Sequence, residues 1–256
     1  MRLSFGTQIS RSPIRLSIGS IKKPTLADID EIGFDTFSYY EYFLKMTPDM
    51  YYDAGFGKGN TAPRDVNDTL FDIIVRDNNM QDIYSDVFSF FFEEKVEYLD
   101  DLFIVSNKSF RDETFTKDDI VGIIFRDNID EILEILQQIC CIYSEEEHKE
   151  EAPKFKNDIA KEIYEKIQKG QKELVKKDDS GLHSLANIVS AINGRHNSLN
   201  YTNIWSLTIF QVFDTFEREI TNCWYDISSR SLSIWGDEKK TFDPLMWCKN
   251  NYGNKQ

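Results

Sequence analysis

Histidine is scarce in this chain, three residues in 256, and the three do not converge. His148 lies in a charged stretch, while His183 and His196 are too far apart for the i to i+4 spacing of a helical metal site and have no cysteine pair beside them. A metal centre is therefore not expected, and no cofactor motif is present. Cysteine is equally sparse. Cys140 and Cys141 are adjacent in a helical pattern and Cys223 falls in an apolar seam, so no disulfide framework is expected and the thiols read as buried and free, as in a reducing cytoplasm. Long apolar runs are missing too: nothing approaches the ~18 residues of a membrane span, and the arginine-bearing start lacks the apolar core of a secretion signal. Basic residues are outnumbered, 30 against 44 acidic, for a net charge of −14. Such a surface repels phosphate backbones and anionic lipid, which excludes nucleic acid and membrane as direct ligands.

Catalytic motifs are absent as well. Gly55-Phe56-Gly57-Lys58-Gly59-Asn60-Thr61 has the glycines of a phosphate loop, but Lys58 is not followed by Ser or Thr and no buried strand precedes it. A flexible loop is the expectation. Asp100-Asp101 and Asp178-Asp179 are neighbouring carboxylates, which point in different directions from a strand or helix; they read as turn and cap residues rather than an acid/base pair. No Gly-x-Ser-x-Gly elbow occurs. The chain is not expected to be an enzyme.

What is abundant is aromatic and aliphatic side chain, 41% hydrophobic and 14% aromatic, enough for a substantial core. The densest pattern lies between Asn200 and Ile227, where Ile209, Phe213, Phe216, Ile220, Cys223 and Ile227 alternate at spacings of four and three. That is the apolar seam of a long helix. Trp205, Phe210, Val212 and Trp224 widen it beyond a narrow coiled-coil stripe, and the rest of the chain is expected to cover it.

The remaining pattern predicts a mainly α chain with small β-hairpins, an α+β protein in three parts. Residues 1–143 are expected to form a helical domain with an N-terminal and an internal hairpin. Leu3, Phe5, Ile14, Leu16 and Ile18 alternate with polar neighbours around Ser12-Pro13, the pattern of a hairpin. Thr25 with Asp28 forms a capping box for a helix with Leu26, Ile29, Phe37, Tyr40 and Leu44 on its apolar face. Residues 46–64 read as loop. Helices follow through Leu70, Ile73 and Ile74 and through Ile83, Val87, Phe88, Phe91 and Phe92. A hairpin is expected between Lys95 and Phe110, turning at Asp100-Asp101. Thr116-Lys117-Asp118-Asp119 reads as a box opening a helix over Ile120–Phe125, and Asn128 with Glu131 as the cap of another through Leu136 and Ile139. Ile73–Asn78 is echoed by Ile123–Asn128; two copies fall short of a repeat array and read as coincidence ahead of an old duplication. Residues 144–179 are a Glu- and Lys-rich, partly helical linker; Asp179 or Ser180 caps a helix through Ile192, and 180–256 form a C-terminal aromatic helical region with a loose tail.

Four passages, taken in order, resemble the tail assembly chaperones of long-tailed, siphovirus-like phages of Gram-positive bacteria. They are Ile21-Lys22-Lys23-Pro24-Thr25 with its following helix, Leu70-Phe71-Asp72-Ile73-Ile74 running on to Phe88-Ser89-Phe90-Phe91 and Val96, Phe115–Asn128, and Asn200–Gln211. The resemblance implies a mainly helical protein of the host cell cytoplasm that binds and solubilises the tape measure protein, helps recruit major tail tube subunits, and is absent from the finished virion. It also leaves room for self-association. Trp205, Phe210, Phe213, Phe216 and Trp224 are the expected partner-binding residues, laid against a client helix in helix-in-groove fashion. The alternatives are a structural subunit retained in the tail or baseplate and, behind it, an enzyme whose site no motif advertises.

Overall fold

The computed structural model describes residues 2–54, 68–142, 184–236 and 242–249. The glycine-rich segment 55–61, the 144–179 linker, the Asp178-Asp179 pair and two of the histidines lie outside them. The described residues fall into two compact units, one of 2–142 with 205–211 and one of 184–204 with 212–249. The chain is mainly α with one two-stranded and one three-stranded antiparallel sheet, the expected class.

The first unit opens differently from the alternating pattern. Ser4 caps a helix, α1 (Phe5–Ile9), its side chain accepting from the Thr7 N–H at 3.1 Å. The hairpin lies wholly beyond Pro13, as β1 (Ile14–Leu16) and β2 (Gly19–Ile21). A serine hydroxyl beside free helix N–H groups outweighed the short alternation of Leu3 and Phe5. The Lys22-Lys23 pair then ties this hairpin down: Lys22 stands over the Phe90 ring at 5.0 Å, and Lys23, buried, donates from Nζ to the carbonyls of Thr7 and Ser10 at the end of α1. Burial lowers the Lys23 pKa.

Thr25 and Asp28 form the expected reciprocal box at α2 (Leu26–Ile32). Gly33, at φ 88°, divides what the sequence reads as one helix and starts α3 (Phe34–Leu44). Leu26, Ile29, Phe37 and Leu44 are buried and Tyr40 half-buried. Part of the expected 46–64 loop is helical instead, α4 (Pro48–Ala54), with proline at the N-terminal position that lacks no hydrogen bond. A second reciprocal box, Thr69 with Asp72, starts α5 (Leu70–Arg76), and Asp77 caps α6 (Asn78–Phe91). Phe88 of α6 sits at the centre of an aromatic cluster, 5.1 Å from Phe103 and 5.8 Å from Tyr84 by ring centroids.

The internal hairpin forms as β3 (Lys95–Leu99) and β4 (Leu102–Ser106). Asp100 and Asp101 occupy the turn at φ 50° and 61°, the left-handed pair that a two-residue hairpin with the right twist needs and that aspartate tolerates. Residues Ile120–Ile124, read from sequence as helix, are the strand β5, paired antiparallel to β4. Four β-branched residues around a glycine favour a strand. The Thr116–Asp119 box is present, the Thr116 N–H donating to Asp119 at 2.8 Å, but it closes only a single 3₁₀ turn at Lys117–Asp119. The Ile73–Asn78 echo is thereby dissolved, since one copy ends a helix and the other a strand. Asn128 precedes α7 (Ile129–Ile139) but spends its side chain elsewhere, accepting from Phe125 N–H and donating to the Ile123 carbonyl, at 2.8 and 2.9 Å.

Gly122 is required by close approach. A Cβ there would lie 2.6 Å from the Ile18 Cβ and 2.7 Å from its carbonyl oxygen, both at the β1–β2 turn. Gly122→Ala is expected to lower stability by about 1–3 kcal/mol through overpacking. A urea midpoint unchanged from the wild type would show that the turn moves aside freely.

In the second unit, Ser184 caps α8 (Leu185–Arg195), its hydroxyl accepting from the Asn187 N–H. The cap therefore falls later than Asp179 or Ser180. Asn200–Leu207 forms turns and a 3₁₀ segment at Ile204–Ser206, which leaves Trp205 ahead of the long helix rather than on its seam. The long helix, α9, spans Ile209–Trp235, with residues 209–211 counted in the first unit and the rest in the second. Beyond it, Phe242 packs on Tyr225 at 5.6 Å and a 3₁₀ turn covers Met246–Cys248. All four thiols are free, but only Cys140 is buried, and Cys248 is exposed, which the sequence reading did not foresee. Among the described residues no helix is long and apolar enough to cross a membrane.

Candidate protein-binding groove

Helix α9 has two environments along one seam. Its first turn belongs to the core of the first unit. Thr208 and Gln211 cap it reciprocally, Thr208 N–H donating to Gln211 Oε1 at 3.0 Å and Gln211 N–H to Thr208 Oγ1 at 3.3 Å. The flanking backbone is stitched to the segment before α2 by Leu26 N–H to the Leu207 carbonyl at 2.9 Å and Ile209 N–H to the Pro24 carbonyl at 3.0 Å. Ile209 and Phe210 are buried, and the Phe210 ring meets Phe5 edge-on at 6.1 Å.

Further along, the same periodicity runs out into solvent. Ile220 is 39% exposed, Trp224 59%, Ile227 54% and Ile234 70%. Between this face and α8 lies an open groove of about 270 Å³, with Ala191 and Ile192 on one wall and Phe216, Ile220, Cys223 and Ile227 on the other. At its rim Arg195 Nε donates to Glu219 Oε2 at 3.3 Å. Arg218 pairs one turn back with the buried Asp214 at 2.9 Å. Large aliphatic side chains left half-exposed in register along one helix face are what an interaction surface requires.

The expected partner-binding residues are thus split by the fold. Phe216 and Trp224 line the groove; Phe213 is half-buried on α9, and Trp205 is half-buried in the 3₁₀ turn. Phe210, at 1% exposure, belongs to a core and has no surface to offer a partner. Conversely, Ile220 and Ile227 are uncovered where the sequence pattern predicted cover. Periodicity places a residue on a face but does not say where along the helix the covering layer ends. The compositional signal comes late: Ser228, Ser229, Ser231 and Ser233 dilute the helix only past Ile227, after the seam has emerged at Ile220 and Trp224.

The other polar candidates serve local structure. His196 Nδ1 accepts from the Leu199 N–H at 3.0 Å in the turn after α8. Among the described residues no group of three His, Cys, Asp or Glu is arranged to hold a metal ion.

One family sequence profile, described as the YomV second domain, matches residues 175–251, which contain α8, α9 and the groove. The match suggests a phage-associated protein. Neither the curated proteins nor the solved structures contain a match to the chain.

Proposed function

We propose that the chain is a tail assembly chaperone, a binding protein rather than an enzyme, that takes up an amphipathic helix of the tape measure protein along the α8–α9 groove. One observation supports this above the others: the seam of α9 emerges uncovered at Ile220, Trp224 and Ile227, inside the segment that matches a phage-associated domain. A client helix laid there would cover those side chains at ~1.5 to 3 kcal/mol for each large one fully buried, while an open groove allows release when tail tube subunits take over the client. The role places the protein in the host cytoplasm and outside the finished virion.

Co-expression with the tape measure protein of the same phage tests the reading. Wild type is expected to raise the soluble fraction of that client several-fold, and Ile220→Asp with Ile227→Asp to abolish the gain while the circular dichroism spectrum is kept. An insoluble client with wild type present would refute the chaperone role, and stoichiometric recovery of the chain from purified virions would make it a retained tail subunit.

A further inference from the structure

The uncovered half of α9 is also self-complementary. Its seam positions Phe216, Ile220, Cys223, Ile227, Arg230 and Ile234 repeat the spacing of four and three and are symmetric about Tyr225. Two copies of this helix laid antiparallel about that midpoint put Phe216 opposite Ile234, Ile220 opposite Arg230 and Cys223 opposite Ile227. Every seam residue then meets one from the second copy, as a two-fold interface requires. Charge selects the antiparallel direction. The half before Tyr225 carries Glu217, Arg218 and Glu219, with Arg218 held by Asp214 one turn back, so that half is net negative, whereas Arg230 is the only charged residue of α9 beyond Asp226. Antiparallel pairing lays the Arg230 stem over the second copy's Ile220 and brings its guanidinium to that copy's Glu217; parallel pairing brings like ends together. The two Trp224 side chains, 59% exposed in the single chain, meet near the two-fold axis.

We propose that a second copy of this chain occupies the exposed seam of α9 in this antiparallel register, forming a dimer in the absence of any client. The inference goes beyond the chaperone reading and needs no client to be tested. The interface is small and is therefore weak and concentration-dependent.

Sedimentation velocity of the full chain over about two decades of concentration reads it directly. The weight-average mass is expected to climb from one chain towards two. Ile227→Asp should hold it at one with an unchanged thermal melt. Arg230→Glu should weaken the dimer by about tenfold, and adding Glu217→Lys should restore it, because the reversed pair recreates the contact. Asp226 meets its own counterpart on the opposite flank, so Asp226→Asn is expected to tighten the dimer about twofold. A monomer at every concentration overturns the proposal, and so does a dimer that Arg230→Glu leaves intact. A failed client assay with these results in hand would sink the chaperone reading and leave the dimer standing.

Discussion

Phe88→Ala is expected to remove about 3–5 kcal/mol of stability, the largest single loss we anticipate in the chain. Phe88 is fully buried and is ringed by Tyr84, Phe92 and Phe103, at centroid distances of 5.8, 6.5 and 5.1 Å. The rings of Phe92 and Phe103 stand nearly perpendicular to it, at 87° and 84°, the T-shaped arrangement that aromatic pairs favour. Truncation deletes those contacts and leaves a cavity between α6 and the β3–β4 hairpin that rigid neighbours on both sides cannot close. Urea unfolding followed by circular dichroism measures the loss. Trp224→Ala is the contrast: with 59% of its surface already in water, its removal should change stability by less than about 1 kcal/mol. If the two variants were equally destabilised, the division between a packed core and an uncovered helix face would be wrong.

Glu41→Gln is expected to stabilise the protein at neutral pH. Glu41, on α3, is half-buried, and desolvation raises its pKa from 4.5 to about 6, only partly opposed by Lys45 one turn away. The neighbouring Cys140 thiol is pushed up as well, first by its own complete burial and then by the Glu41 charge. For a carboxyl whose folded pKa is raised, the unfolded chain loses its proton first. Below pH 4.5 both states hold the proton and the group contributes its full share of stability. That share is lost as pH climbs from 4.5 through about 6, and above this the folded state bears an ionised, poorly solvated carboxylate. The shift corresponds to about 2 kcal/mol. Glu41→Gln removes the titration, so its advantage over wild type should be close to zero at pH 4, grow across the next two pH units and level off at about 2 kcal/mol. Paired urea melts at each pH give this difference directly. A constant advantage across the range would trace the effect to packing, and a declining one would mean that the carboxylate is held by a favourable partner.

The sequence by itself determined the local events. Threonine with an aspartate three residues later marks a true helix start at Thr25, and the structure adds an unread one at Thr69, because a short hydroxyl and carboxylate satisfy the free N–H groups wherever the chain runs. Asp100-Asp101 likewise announces its turn through a backbone preference that needs no distant neighbour. The same box at Thr116 misleads, since it reports only a capped turn, and the β-branched run after it joins the sheet because β4 offers an open edge. That edge comes from a hairpin elsewhere in the chain, and no window around Ile120 contains it.

The site divides along the same line. Apolar spacing alone identified α9 and its apolar face, including Phe216, Ile220, Cys223 and Ile227 that line its groove. Tertiary structure decided that Phe210 is core and Ile227 is surface, although the apolar pattern assigns both to the covered side of one helix. Burial is set by what lies opposite. Phe210 has Phe5 against it, brought there by the backbone hydrogen bonds that join Leu26 to Leu207 and Pro24 to Ile209. Ile227 has α8 beside it and water above, and only the fold shows where that covering layer stops.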